Sequence, residues 1–252
     1  MKVYFVGAGP GDPGLLTVKA DRLLRTCRIC IYAGSLVSPG VMSLVPADAE
    51  KHDSASMTIG EITDVFRNAR QRGVDVVRLH SGDPSIYGAI REQMNELDRL
   101  GIGYEVVPGV SAFQSAAAEL LVELTAPETA QTIILTRTSG RTLLPKEQEL
   151  DKLARTNATF CIFLSGHKIK ETTETLARHY GEDCPAAVVY HASWPDQKKV
   201  EGTLGDIASK AQSAGIGRTA VILAGRALSR DIPASRLYDA AFSHKFRRGR
   251  KP

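Results

Sequence analysis

Three short stretches carry the residue types best suited to chemistry. They are GAGPGD at residues 7–12, HSGDPSIYG at 80–88 and VVPGVSA at 106–112. Each sets Gly and Pro directly after an apolar run, so each predicts a tight loop at the carboxyl end of a strand, the edge where open α/β sheets bind ligands. Gly82 lets a ligand approach the backbone, Asp83 offers a carboxylate beside it, Pro84 sets the turn and Ser111 is a natural helix N-cap. Small residues, exposed backbone and the Asp83 carboxylate suit a neutral or cationic ligand with hydrogen-bonding edges.

The same residues argue against nucleotide phosphates. In the first loop the third glycine position of a dinucleotide fingerprint is Asp12, and Pro10 removes a backbone N–H. No acid occurs from 22 to 47 to hold a ribose, and no P-loop motif is present. His80, His167 and His191 each fall at a strand end without a partner at metal-ligand spacing. Cys27 and Cys30 form a C-x-x-C that runs into an apolar segment, and Cys161 and Cys184 stand apart, so buried structural thiols are expected and no metal site. Arg137 and Arg141 lie in a polar stretch after a strand, and Lys168 and Arg226 also follow strand ends. These cations would suit a substrate rich in carboxylates.

The elements behind these loops can be traced from periodicity. Apolar runs KVYFVGA, RICIYA, DVVRLHSG and GYEVVPG predict four strands in the first half. Helical spacing predicts helices over 15–25, 60–72, 86–100 and 111–121. Such alternation implies right-handed crossovers and a parallel sheet. TAPETA at 125–130 reads as a linker. Beyond it, QTIILTR, ATFCIFLS, AAVVYHA, KKVEGTL and TAVILAG predict strands, with helices near 147–155, 169–180 and 205–213. The alternation in KKVEGTL suggests a mixed sheet with an antiparallel pair. The fold class expected is therefore α/β in two α/β domains. Residues 1–127 form a parallel sheet with flanking helices, 128–240 a mixed sheet, and 241–252 a basic tail.

With 252 residues, 43% hydrophobic and 24% charged, the composition is that of an ordinary globular protein. No apolar run approaches the length of a membrane span. The chain enters a strand pattern at once, with no charged leader, so a cytoplasmic location is expected. The net charge of +4 comes from the tail HKFRRGRKP; without it acids and bases nearly balance, and no nucleic-acid partner is expected.

The first three stretches together resemble the tetrapyrrole methyltransferase family, enzymes with two α/β domains that use S-adenosylmethionine (SAM). The resemblance runs from the first strand to about Asp239. AGSLVSPGVM, HSGDPSIYG, FLSGHKI and YHASWPDQKKVEGTL, in this order and spacing, are similar to its members in cobalamin biosynthesis. Relatives that methylate uroporphyrinogen tend to carry an Asp in YDALV, where this chain has YAGSLV.

The resemblance implies that SAM lies in a trough between the two domains. It implies contacts from Pro10, from Ser81, Gly82, Asp83 and Ile86, and from Ser111 and Ala112. Leu164, Ser165, Ala192, Thr219 and Ala220 would complete them from the second domain. Some relatives carry Met at the position of Ser165, which implies a backbone contact there. Asp83 is expected to favour the cationic part of SAM. The acceptor would be an electron-rich ring carbon of a tetrapyrrole whose carboxylates call for Arg137, Arg141, Lys168 and Arg226. A homodimer is implied as well.

Overall fold

A computed structural model describes residues 1–139, 143–163, 168–217, 219–235 and 239–249. The chain divides into two compact units, Met1–Ala116 with His191–Gln197, and Ala117–Tyr190 with Lys198–Pro252.

The first unit holds β1 (Lys2–Gly7), α1 (Val18–Thr26), β2 (Ile29–Tyr32), α2 (Pro39–Met42) and β3 (Glu50–Asp53). These are followed by α3 (Ile59–Gln71), β4 (Val76–His80), α4 (Ile90–Leu100), β5 (Gly103–Val107) and the start of α5 (Ala112–Leu120). Its sheet has the order β3-β2-β4-β1-β5, and every pairing is parallel. Strand residues alternate between two cores. Val3, Phe5 and Val76 pack under Phe66 of α3 and Leu97 of α4. Val6, Val77 and Leu79 pack under Leu24 of α1 and Val41 of α2.

The sequence predicts four strands here, and the structure has five. β3 reads EKHD and is mostly exposed at the sheet's edge, so burial imposes no apolar alternation on it. Two helices start later than their periodicity suggests. Asp12 caps a 3-10 turn at Pro13–Leu15, and Thr17 then accepts from the Ala20 N–H at 3.2 Å, so α1 begins at Val18. Before α4, Tyr87 and Ala89 adopt left-handed φ of 55° and 49°, which no helix tolerates. α3 meets its expected start because Thr58 and Glu61 form a reciprocal capping box.

The second unit holds β6 (Ile133–Arg137), α6 (Leu150–Leu153), β7 (Thr159–Phe163), α7 (Ile169–Tyr180) and β8 (Pro185–Tyr190). β9 (Lys198–Thr203), α8 (Ile207–Ser213) and β10 (Ala220–Ala224) complete it. Its sheet has the order β6-β7-β10-β8-β9. Only β6 and β7 run parallel; β10 is antiparallel to both neighbours and β8 to β9. The mixed sheet is as expected, with three antiparallel pairings where the sequence suggests one. Phe160, Ile162, Val188 and Ile222 face Leu176 of α7 and Ile207 of α8. The four cysteines are buried and unbridged. Among the described residues, no helix is long and apolar enough to cross a membrane.

Candidate active site

Register sets the floor of the site. Gly7 lies opposite His80, and Val6 opposite Val107, so β1, β4 and β5 end level on one edge. From there α1 departs over one face of the sheet and α4 over the other. Neighbouring strands whose connections part in this way leave a crevice at their carboxyl ends, where ligands lodge in open α/β sheets.

The loops over this crevice are bonded backbone to backbone. The Ala8 N–H donates to the His80 carbonyl at 2.7 Å, and Gly9 and Gly82 exchange bonds of 3.2 and 2.8 Å. Gly9 and Gly82 both adopt left-handed φ, 66° and 63°, which a side chain would strain. The third loop presses in as closely. A Cβ on Gly7 would stand 2.6 Å from the Gly109 Cα, and one on Gly109 would overlap the Gly82 carbonyl oxygen. The glycines therefore bring three backbones to one point.

Asp83 ties the second loop to the third. One carboxylate oxygen accepts from the Gly109 N–H at 2.9 Å; the other accepts from the Ser85 N–H at 2.8 Å and from its hydroxyl. Partial burial pushes its pKa up, but the Ser85 and Gly109 hydrogen bonds outweigh this and hold it below the ordinary carboxylate value. Beneath the loops, His80 is buried, and among the described residues its Nε2 has no hydrogen-bond partner. Burial, then the Arg78 guanidinium, drives its pKa down to about 3, so it stays neutral. Arg78 is buried too, its Nε–H donating to Gln93 of α4 at 2.9 Å, and burial lowers its pKa to about 10.

Of the expected contact residues, the structure gathers Pro10, Ser81, Gly82, Asp83 and Ser111 on this edge, with Ile86 and Ala112 beside them. Ser111 is buried, and its N–H is capped by the Gln114 side chain at 2.9 Å. Ala192 is buried in the loop His191–Gln197, which groups with the first unit. Leu164, Ser165, His167 and Arg141 lie outside the described residues.

In the second unit, Arg137 ends β6 opposite Phe163, and Ala220 pairs with Tyr190 at the start of β10, next to exposed Thr219. Lys168 caps α7 after β7, its Nζ 3.5 Å from Glu171. These four share one edge of that sheet. Arg226 stands at the other edge, because β10 runs against β7. Its guanidinium is held by both Asp183 oxygens at 2.7 and 3.0 Å and by the Tyr180 carbonyl at 2.7 Å.

The partners of the first loop come from distant parts of the chain and carry no local motif. The Trp194 indole N–H donates to the Pro10 carbonyl at 2.6 Å, and the Ser193 hydroxyl accepts from the Asp12 N–H at 3.0 Å. Ser38, buried at the cap of α2, donates to the Gly11 carbonyl. A lone Trp before a Pro in the polar stretch SWPD was the available signal. Among the described residues, no group of three His, Cys, Asp or Glu could hold a metal ion.

A parallel five-stranded sheet with a glycine rim, joined in one chain to a mixed sheet, is the architecture of a two-unit α/β methyltransferase. Residues 2–208 match the family of tetrapyrrole (corrin/porphyrin) methylases, and the chain belongs to that family. It is 48% identical to a precorrin-4 C(11)-methyltransferase of Pseudomonas aeruginosa, across 99% of this chain and 100% of that one. A solved cobalt precorrin-4 methyltransferase superposes with a TM-score of 0.88 at 42% identity, covering 90% of this chain and 96% of that one. A uroporphyrin-III C-methyltransferase from Thermus thermophilus, solved with S-adenosylhomocysteine, gives 0.73 at 30% identity over 90% and 93%.

Proposed function

We propose that this protein transfers a methyl group from SAM to C11 of precorrin-4 in cobalamin biosynthesis. The observation that carries the reading is near-identity of length and 48% identity with the Pseudomonas enzyme. The rim fits the donor. It presents small residues, backbone edges and the Asp83 carboxylate, which suit an ammonium, a ribose and a sulfonium, whereas a pyrophosphate would be repelled. When bound, SAM supplies a methyl group on a sulfonium that leaves without acid assistance.

What remains for the chain is alignment. Holding two reactants in near-attack geometry is worth about 7–11 kcal/mol, so a rigid cradle serves better than a strong base. The Gly9–Gly82 exchange, the Asp83 tether and the Trp194–Pro10 bond make the rim such a cradle. Pro10, Ser81, Gly82, Asp83, Ile86, Ser111, Ala112, Ala192, Thr219 and Ala220 contact the donor on this reading, as do Leu164 and Ser165. Arg137, Lys168 and Arg141 bind the acceptor's carboxylates. Arg226 is left to stability, since Asp183 and Tyr180 engage it on the far edge. No metal is required by the reaction. The enzyme is proposed to work in the cytoplasm as a homodimer.

A second acceptor, cobalt-precorrin-4, is favoured by the solved relative at 42% identity. Incubation with SAM and enzymatically made precorrin-4, with and without cobalt, tests both by mass spectrometry. The expected result is one added methyl and one S-adenosylhomocysteine per turnover. Unmethylated tetrapyrrole in both arms would overturn the proposal.

A further inference from the structure

Trp194 is the chain's only tryptophan, and it sits in a loop, not in a core. The loop holds it on two sides. Its edge is fixed by the Pro10 carbonyl and lies so close to Gly11 that a Cβ there would overlap the indole. One ring face lies on the His191 imidazole, with centroids 4.3 Å apart and planes 25° from parallel. His191 Nδ1 is in turn 3.0 Å from both Asp196 oxygens. His191 and Ser193 adopt left-handed φ of 47° and 67°. Non-glycine residues keep such strain only where their surroundings enforce it, and such sites cluster where ligands bind.

Beside the indole opens a cavity of ≈560 Å³. Its walls are apolar, from Pro13, Pro39, Trp194 and Pro195, and its charged groups are two carboxylates, Asp12 and Asp196. No cation is among the described residues that line it. Apolar walls around an aromatic platform fit a flat ring. The carboxylates accept hydrogen bonds from N–H groups and repel acetate or propionate. The cavity also shares Gly11 and Asp12 with the first rim loop, so an occupant would lie next to the cradle.

We propose that this cavity seats one pyrrole-type ring of the acceptor, stacked on Trp194, with one of Asp12 and Asp196 accepting from its single N–H and both turning the peripheral carboxylates outward by charge. The proposal rests on the tetrapyrrole reading above. It makes Trp194 a specificity residue with two separable parts. The π-face serves the acceptor, while the indole N–H serves the donor by fixing Pro10.

Steady-state kinetics with precorrin-4, alongside SAM titration calorimetry, separates the parts. Trp194→Ala should raise KM for precorrin-4 about tenfold. Trp194→Phe keeps a π-face but loses the N–H, so KM should stay within about twofold while SAM binds about three- to tenfold more weakly. Asp196, with 60% of its side chain exposed, and Asp12 can be changed to Asn with little risk to folding, and each should raise KM about threefold. If wild type methylates neither precorrin-4 nor its cobalt form, the parent reading fails; where only the cobalt form reacts, the same KM comparison is made with it. If wild type turns over and Trp194→Ala is native by circular dichroism with unchanged KM, the cavity is not the acceptor's seat. Should Trp194→Ala not fold, wild-type KM in both Asn variants would overturn the proposal equally.

Discussion

The two sheets of this protein handle their strand ends in opposite ways. In the first unit every strand is parallel, so β1, β4 and β5 deliver their loops to a single edge, where Gly7, Gly82 and Gly109 meet backbone to backbone. In the second, three of four pairings are antiparallel, and the loops are divided between two edges. A parallel sheet concentrates its loops into a site, whereas a mixed sheet spreads them. The first edge is also crowded, and the second unit has glycines with room to spare: among the described residues, and its chain neighbours aside, no atom lies within 4 Å of where a Cβ on Gly217 would sit.

That contrast is broken most directly by adding one methyl group on each side. Gly109→Ala drives a Cβ into the Gly82 carbonyl and against the Gly7 Cα, so the rim must open. Overpacking of this kind costs about 1–3 kcal/mol, and loss of the cradle should weaken SAM at least about a hundredfold by calorimetry. Gly217→Ala should leave SAM affinity and the melting temperature as they were. Equal behaviour of the two variants would remove the distinction between the edges.

The second test sets Arg137 against Arg226, which the sequence treats alike because both follow strands. Arg137→Ala should raise KM for the tetrapyrrole about tenfold through loss of a charge-assisted bond, with SAM affinity unchanged. Arg226→Ala releases Asp183 and the Tyr180 carbonyl, so it should lower the melting temperature by about 2–4 °C and leave KM alone. A KM effect from Arg226 would mean that strand direction does not decide which cations meet the acceptor.

This pair also marks where sequence reading stops. Apolar runs reveal most strands because burial on both faces demands them, as with ICIY of β2 or AVILA of β10. Direction within a mixed sheet has no such signature, so the position of Arg226 could not be read. β3 was hidden because an exposed edge strand needs no apolar residues. The glycine rim was legible, since a turn that brings backbones together can use little else. Its clamp was not: Trp194 and Pro10 are 184 residues apart, and a bond of that reach leaves no local pattern.

The cores differ in acid sensitivity as well. β4 buries His80 and Arg78, whereas the central strands of the second core present Phe160, Ile162 and Ile222. The folded pKa of His80, about 3, lies below the ordinary 6.5, so the unfolded chain binds the proton more readily between these values. Stability contributed by neutral His80 is complete above pH 6.5 and is lost as pH falls toward 3. From pH 7.5 to 5.5 the loss should reach about 1 kcal/mol. Hydrogen exchange should show β4 and α4 losing protection over this range while β7 and β10 keep theirs. His80→Phe, which fills the site without titrating, should flatten the difference. Uniform loss across both units would sink the assignment.

The smallest effect is expected at Asp83, and it asks whether the first edge is built by charge or by shape. Both oxygens already accept bonds, from Gly109 on one side and Ser85 on the other. In Asp83→Asn one oxygen becomes an NH2, which meets either the Gly109 N–H or the Ser85 N–H donor to donor, so one tether is lost. The site is half-exposed, which places the cost at the low end for a charged hydrogen bond, about 1 kcal/mol. Because its pKa is held below the ordinary value, the wild-type contribution is present above pH 3.8 and fades only as pH falls through the folded value. The variant should therefore differ from wild type in melting temperature at pH 7 and converge with it in strong acid. If Asp83 acts by shaping the rim, SAM and S-adenosylhomocysteine should weaken alike, by about threefold. A loss confined to SAM would instead put the sulfonium within reach of the carboxylate. Titration calorimetry of both ligands on both proteins distinguishes the two, since S-adenosylhomocysteine keeps the ammonium and the ribose but lacks the sulfonium charge.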